Sequence, residues 1–173
     1  MKLILIGYRG CGKTSVGKRV ATAKNVQYQD VDDVTCARIG CDSIAQIWDE
    51  HGESYWRENE VAVTKELCQQ DNLVIGLGGG SLMQDGARQA VAAATDAIRI
   101  YLKADPATLY QRITSDIRSS ETRPSLTAIG GGLDEVIHML EQREPTYKAV
   151  ADVILDVSEM NLEQTTDAVL KVC

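Results

Sequence analysis

Residues 7–14 match the pattern GxxxxGK[ST] and are the part of the sequence best suited to do chemistry. An apolar run at residues 3–6 precedes them and a helical pattern follows from Lys13, which is the strand–loop–helix context that the pattern requires. Glycines let backbone N–H groups turn inward around phosphate oxygens, and the positive end of the helix dipole adds to the attraction. The segment therefore predicts a nucleotide phosphate site rather than an inert turn.

Two side chains of this loop carry polar groups suited to a nucleoside triphosphate. Lys13 is expected to reach the terminal phosphates, and the Thr14 hydroxyl is expected to ligate Mg²⁺. The predicted nucleotide-binding set also contains Gly10, Cys11, Gly12 and Ser15. We interpret Cys11 as a small filler of the loop rather than as a reactive thiol.

The loop alone does not distinguish a GTPase, an ATPase and a small-molecule kinase. A guanine-binding NKxD-like motif is absent from the sequence, and a motor ATPase usually has a longer chain than these 173 residues. The remaining motifs must therefore decide what the nucleotide is used for.

The acidic pair Asp30 and Asp32 straddles the predicted end of a strand. Ligands of open α/β sheets bind at the carboxyl ends of the strands. One carboxylate can face Mg²⁺ through water, while the other can hold a hydroxyl group and accept its proton. The alternative is an acidic turn that caps a helix starting at Val34.

Two further clusters could hold an acidic, hydroxylated acceptor. Arg57 stands beside an aromatic residue and two acids in residues 52–60, where ion pairs can hold its guanidinium ready for a carboxylate. The alternative is a solvated helix face with local salt bridges. Gly78, Gly79 and Gly80 can let the backbone approach a ligand closely, although they could equally form a loose turn.

Three later arginines complete the candidate residues. Arg123 lies in the irregular stretch 114–132, which is predicted to be a lid, and it could neutralise charge on the transferred phosphoryl group. Arg143 lies near a predicted helix end that Pro145 stops or kinks, where it could pair with a carboxylate or cap the helix. Arg112, at the base of the lid, could stack on adenine or be an ordinary surface arginine.

The elements that position these residues alternate along the chain. Short apolar runs, typical of strands buried on both faces, occupy residues 3–6, 73–75, 97–102 and 153–155. Helical patterns occupy residues 13–24, 43–50, 57–69, 106–113, 135–143 and 162–172. This alternation predicts an α/β layered fold with right-handed crossovers.

Composition excludes several classes of protein. The formal net charge of −7 argues against nucleic-acid binding through a general basic face. No apolar run approaches the ~20 residues needed to cross a bilayer, so no membrane partner is expected. The five cysteines are odd in number and contain no CxxC pair, which disfavours disulfides or a zinc site and predicts a cytoplasmic location.

Taken in order, the motifs resemble those of the shikimate kinase family. The matching elements are GxxxxGKT at 7–14, DxD at 30–32, GExxWRxxE at 52–60, GGG at 78–80, RP at 123–124 and RxPxY at 143–147. Their order along nearly the whole chain is more specific than any one of them after the first. Trp56 departs from the phenylalanine usual in the family, and the stretch from Arg112 to Arg123 is longer than in compact members.

The resemblance implies transfer of the γ-phosphoryl group of ATP, with Mg²⁺, to the 3-hydroxyl of shikimate. It implies that Asp32 holds that hydroxyl and acts as the base. Arg57 and Arg143 would clamp the carboxylate of shikimate, beside the backbone of Gly78, Gly79 and Gly80. Asp30 and Thr14 would contact the metal, and Lys13 and Arg123 would stabilise the phosphoryl group. ATP would also contact Arg112.

The resemblance further implies a five-stranded parallel sheet flanked by helices. The expected organisation is a single domain over residues 1–173, with an acceptor-binding helical segment at about 34–60 and a lid at about 114–132, acting as a monomer. The alternatives are another small-metabolite kinase, such as a gluconate kinase, and a non-catalytic metabolite sensor with a kinase fold.

Overall fold

The computed structural model describes residues 1–116 and 132–173, in which strands and helices alternate. The strands are β1 (Lys2–Ile6), β2 (Gln27–Asp30), β3 (Leu73–Gly76), β4 (Ala97–Lys103) and β5 (Val153–Asp156). The helices are α1 (Lys13–Lys24), α2 (Val31–Ile39), α3 (Ile44–Gln69), α4 (Asp85–Ala93), α5 (Pro106–Ser115), α6 (Leu133–Val150) and α7 (Leu162–Val172), with a 3₁₀ turn at Ser81–Met83.

All five strands are parallel and lie in the order β2-β3-β1-β4-β5, which confirms the predicted sheet. Every residue of the central strands β1 and β3 is buried, as the apolar runs at residues 3–6 and 73–75 indicate. The edge strand β5 instead alternates between half-buried and exposed residues.

The strand order determines where the polar motifs meet. Strands β2, β3 and β1 are neighbours, so their carboxyl ends lie side by side at one edge of the sheet. The phosphate loop follows β1, Asp30 ends β2, and the three glycines come shortly after β3. Three motifs that are distant in sequence are therefore adjacent in space.

Two predicted helix boundaries were wrong near the acceptor segment. Helix α2 begins at Val31 rather than Val34, because the Asp30 side chain accepts a hydrogen bond from the backbone N–H of Asp32 and caps it there. The two helices predicted within 43–69 form α3, which bends where Gly52 has φ 83° and ψ 164°. Helix α4 was not predicted.

The predicted end of the helix that carries Arg143 was also wrong, because Pro145 does not stop that helix. Helix α6 passes through Pro145 and continues to Val150. The residue two positions beyond the proline, Tyr147, is buried, and its hydroxyl donates a hydrogen bond to the carbonyl of Gly79. Tertiary packing of that turn overrides the local cost of proline.

The predicted lid, residues 114–132, overlaps described structure at both of its ends. Thr114 and Ser115 belong to α5, and Gly132 is the N-cap of α6. The rest of the predicted lid, including Arg123, lies in residues 117–131, outside the described residues.

Candidate active site

The phosphate loop connects β1 to α1 through backbone conformations that favour glycine. Gly10 and Gly12 have φ angles of 81° and 99°, in the left-handed region that other residues rarely adopt. The Lys13 side chain folds back over the loop, and its ammonium donates hydrogen bonds to the carbonyl oxygens of Gly7 at 2.7 Å and Tyr8 at 3.0 Å. The lysine is thus held above the cradle that the loop forms.

Cys11 fills the interior of the loop, as the sequence predicted. Its side chain is buried, and its Sγ lies 3.8 Å from the ammonium of Lys13. A Cβ at Gly7 would lie only 2.6 Å from that sulfur. The glycine and the small thiol therefore fit together beneath the loop.

A cavity of about 490 Å³ opens above the phosphate loop. The predicted nucleotide-binding residues of the described chain all line it, namely Gly10, Cys11, Gly12, Lys13, Thr14, Ser15 and Arg112. The guanidinium of Arg112 donates to the carbonyls of Val157 at 3.0 Å and Met160 at 3.2 Å, so it is anchored at the cavity wall. Arg112 is therefore half-buried and fixed in place, and its contact with adenine stays a prediction.

Asp30 and Thr14 form a pair of oxygen donors at the edge of this cavity. The Thr14 hydroxyl donates to Oδ2 of Asp30 at 3.0 Å, and the Tyr28 hydroxyl donates to the same oxygen at 2.9 Å. A hydroxyl and a carboxylate are the hard ligands that Mg²⁺ accepts, since Mg²⁺ at phosphate sites is held by few protein groups and by substrate oxygens. The residues therefore fit a nucleotide-bound Mg²⁺.

Tyr28 orients Asp30 from below. Burial raises the pKa of its hydroxyl, and the neighbouring Asp30 carboxylate raises it further, so Tyr28 stays protonated and donates. The ring occupies a slot that two glycines leave open, because a Cβ at Gly17 or Gly76 would lie 2.3 Å from a Tyr28 atom.

Asp32 is buried beside the loop that follows β3. A Cβ at Gly78 would lie 2.4 Å from Oδ1 of Asp32, 2.7 Å from Oε1 of Glu60 and 2.8 Å from Oγ of Ser81. The backbone at Gly78 thus lies directly against polar side chains, which excludes a loose turn, and its close approach to a ligand stays a prediction.

Replacing Gly78 by alanine is expected to lower the free energy of unfolding by about 1–3 kcal/mol, because the methyl group has no room. Gly79→Ala is the matched control, since its Cβ would meet nothing closer than the backbone nitrogen of Arg9 at 3.4 Å. Urea unfolding of both variants measures the difference. Equal losses in the two variants would contradict the steric account.

Arg57 is held by acids on both sides, as the sequence predicted. Its Nη1 donates to Oε2 of Glu60 at 2.8 Å, while Nε and Nη2 donate to Oε1 of Glu53 at 3.1 and 3.0 Å. Glu60 is 1% exposed, and its other oxygen accepts from the Ser81 hydroxyl at 2.6 Å. Burial lowers the pKa of Arg57, but Glu60 and Glu53 outweigh it and the net shift is upward. The reading as a solvated helix face is wrong.

Arg143 is buried within α6 and faces the glycine loop. Its Nη1 donates to the carbonyl of Gly79 at 3.1 Å, and its guanidinium lies 5.6 Å from the centre of the Tyr8 ring. Because Arg143 lies in the interior of α6, two turns before its end, it does not cap the helix terminus. The helix-capping alternative is therefore wrong.

A second, smaller cavity of about 50 Å³ lies between the acceptor segment and the glycine loop. It is lined by Arg9, Asp32, Ile44, Trp48, Trp56, Arg57, Glu60, Gly79, Gly80 and Arg143. Three of these residues, Arg9, Asp32 and Gly79, also line the larger cavity. The two cavities therefore adjoin, with one carboxylate and one guanidinium at the boundary.

Sequence reasoning missed several residues of the site. Trp48 lies 5.7 Å from the Arg57 guanidinium, and Arg9 was not singled out within the phosphate loop. Asn161, in the larger cavity, could have been recognised, because it caps α7 beyond the carboxyl end of β5. Trp48 carried no comparable signal, since the bend at Gly52 separates it from Arg57.

Residues 1–116 and 132–173 contain neither a cluster of metal-binding side chains nor a membrane-spanning helix. No group of three or more His, Cys, Asp or Glu residues in those ranges could hold a metal ion. None of the helices described there is long and apolar enough to span a membrane.

Comparisons with known proteins agree with this geometry. A shikimate kinase from Rhodopirellula baltica is 36% identical over 169 residues, covering 98% of this chain and 88% of that protein. The solved structure of a shikimate kinase from Acinetobacter baumannii in complex with shikimate superposes with a TM-score of 0.89 at 26% identity, covering 99% of this chain and 91% of that one. A gluconokinase from Sinorhizobium meliloti 1021 shares the fold, with a TM-score of 0.58 at 17% identity over 98% of this chain and 89% of that one.

The sequence model described as "Shikimate kinase" matches residues 9–173, which is nearly the whole chain and includes every motif after the first residues of the phosphate loop. Together with the identity to the bacterial relative, this match shows that the chain belongs to the shikimate kinase family.

Proposed function

We propose that this chain is an ATP-dependent kinase that transfers the γ-phosphoryl group of ATP to the 3-hydroxyl of shikimate. The observation that carries the proposal is that Asp32 borders both cavities. A carboxylate at the boundary can hold an acceptor hydroxyl facing the end of a triphosphate.

The larger cavity is proposed to bind ATP. The amides of Gly10 and Gly12 would surround the phosphates, and Lys13 would leave its loop carbonyls to contact the terminal phosphate oxygens. Arg112, anchored beside the loop after β5, is proposed to contact adenine. Arg123, outside the described residues, is proposed to close on the phosphoryl group.

The smaller cavity is proposed to bind shikimate. Arg57 and Arg143 would clamp its carboxylate, because each presents a guanidinium already oriented by protein hydrogen bonds. The backbone of Gly78, Gly79 and Gly80 would lie beside the ring, and Trp56 would form part of the wall. Pre-oriented groups reduce the entropy that binding must otherwise cost.

In the proposed step, the 3-hydroxyl oxygen bonds to the γ-phosphorus while Asp32 accepts its proton. The bond from that phosphorus to the bridging oxygen breaks, and its electron pair leaves with ADP. Positioning and charge compensation are the main contributions of a protein to phosphoryl transfer, so no covalent nucleophile is required. Thr14 and Asp30 would hold Mg²⁺, which when bound neutralises phosphate charge.

We further infer one kinase domain over residues 1–173, with an acceptor segment at 34–60 and a lid at 114–132, which starts in the last turn of α5 and ends at the N-cap of α6. A cytoplasmic location is supported by the five cysteines, all of which are free thiols. A monomer is expected because one chain supplies both cavities, and sedimentation would test it.

The test of the function is ADP release by the purified chain with shikimate, quinate and gluconate in parallel. Turnover that depends on shikimate and exceeds that with the other two acids is expected. Turnover with gluconate alone would assign the chain to a different small-metabolite kinase. Shikimate binding without turnover would indicate a metabolite sensor.

Arg143→Ala is expected to raise the KM for shikimate by roughly tenfold or more with a smaller change in kcat, because a fixed carboxylate contact acts before and during the transition state. Steady-state kinetics at saturating ATP would measure both constants. Arg88→Ala is the matched control, since Arg88 lies on α4 outside the residues that line either cavity. An unchanged KM would remove Arg143 from the proposed clamp.

A further inference from the structure

Among the cations that line the two cavities, Arg9 is the one for which the proposed mechanism has no role. It stands in the phosphate loop between Tyr8 and Gly10 and is half-buried. Its Nε is buried and has no hydrogen-bond partner among the residues that the structure describes. A buried guanidinium N–H without a partner is costly, so a ligand at this position would gain from accepting its hydrogen bond.

The position of Arg9 can be fixed from two of its neighbours. Its backbone nitrogen lies 3.4 Å from where a Cβ on Gly79 would be, so this part of the loop touches the glycine loop. Burial raises the pKa of the Tyr8 hydroxyl, while the charges of Arg9 and Arg143 and a hydrogen bond with the Arg9 side chain act to lower it, so both guanidinium groups lie near that hydroxyl. Arg9 therefore faces the same space as the acceptor clamp.

The cations that line the two cavities divide into three groups. Lys13 and Arg112 line only the larger cavity, and Arg57 and Arg143 line only the smaller one. Of the lysines and arginines in the described part of the chain, Arg9 alone lines both. It is the cation placed at the boundary that the phosphoryl group must cross.

We propose that Arg9 binds the phosphoryl group on the acceptor side, so that it recognises the phosphate of the phosphorylated product. The inference rests on the proposed function. The acceptor oxygen bonds to phosphorus as ADP leaves. The negative charge of the phosphoryl group thereby moves from the larger cavity, lined by Lys13, to the smaller cavity, lined by Arg57. The Arg9 guanidinium keeps its protons and donates hydrogen bonds to the phosphate oxygens throughout, a task for which its planar fork is suited.

The competing role for Arg9 is a third contact to the acceptor carboxylate. Binding of the acceptor before and after phosphorylation separates the two roles, since both molecules carry the carboxylate and only the product carries the phosphate. Trp48 and Trp56 line the smaller cavity and are the only tryptophans of the chain, so intrinsic fluorescence reports binding there.

The experiment titrates Arg9→Met and the unaltered protein with shikimate and with shikimate 3-phosphate, each in the presence of ADP. Loss of a charge-assisted hydrogen bond is expected to weaken binding of the 3-phosphate by about tenfold or more, with binding of shikimate changed by less than about twofold. Arg19→Met, an exposed arginine on α1, is the matched control for the lost charge and is expected to change neither. Arg9→Lys is expected to restore part of the 3-phosphate affinity.

Equal weakening of both ligands by Arg9→Met would overturn the inference in favour of a carboxylate contact, as would unchanged binding of the 3-phosphate. If the unaltered protein binds neither acid, the proposed function fails as well. Thermal unfolding shows whether Arg9→Met is folded. If it is not, the Arg9→Lys titrations decide. Equal losses of affinity for shikimate 3-phosphate and for shikimate in Arg9→Lys would also contradict a phosphate contact.

Discussion

Lys13→Ala is expected to lower kcat by at least about a thousandfold, because a cation on the transferring phosphoryl group supplies much of its charge compensation. The ammonium already lies over the phosphate loop, 2.7 Å from the carbonyl of Gly7 and 3.0 Å from that of Tyr8. It can therefore move onto a phosphate oxygen without reorganisation of the helix that carries it. Single-turnover measurements of phosphorylated acceptor would give the rate of the chemical step.

Lys18→Ala is the control for this variant. It removes the same charge from an exposed position about one turn further along α1. Circular dichroism should show that Lys13→Ala retains the native helix content. Near-normal turnover by a folded Lys13→Ala protein would exclude Lys13 from the transfer step.

Asp32→Asn is expected to lower kcat by about 10²–10⁴-fold, because an amide has the shape of the carboxylate but cannot take the proton from the shikimate hydroxyl. ADP binding is expected to stay close to normal. Asp32 is 8% exposed and lies against the backbone of Gly78, so an isosteric replacement is the fair test. Rapid-quench kinetics and calorimetric titration with ADP would separate the chemical step from nucleotide binding.

Asp33→Asn provides the comparison, because Asp33 occupies the next position in the first turn of α2 and is exposed. It is expected to leave kcat within about twofold. Full activity of Asp32→Asn would mean that the acceptor proton leaves by another route and that the base assignment is wrong.

The sheet could be predicted because its central strands have a simple signature. Residues of β1 and β3 are buried on both faces, so apart from Lys2 at the start of β1 their sequences are apolar runs. Helix α4 was missed because Asp85–Ala93 is short and begins with the pair Asp85-Gly86, which is typical of turns. The continuation of α6 past Pro145 depends on contacts made by Tyr147 in the folded protein, which local sequence does not encode.

The site divides in the same way. The phosphate loop and the pair Asp30 and Asp32 could be recognised because their chemistry lies in consecutive residues at strand ends. The positions of Arg9 and Trp48 depend on which loops meet in space, so neither could be assigned before the order of the strands and the bend at Gly52 were known.

The slot that holds Tyr28 links three positions that would otherwise vary independently over evolutionary time. The ring fits only because Gly17 and Gly76 carry no side chain, and its hydroxyl orients Asp30. A lineage that loses the tyrosine would be released from both glycines at once, whereas a lineage that keeps it can mutate neither. The residues at positions 17, 28 and 76 should therefore covary among descendants of this chain.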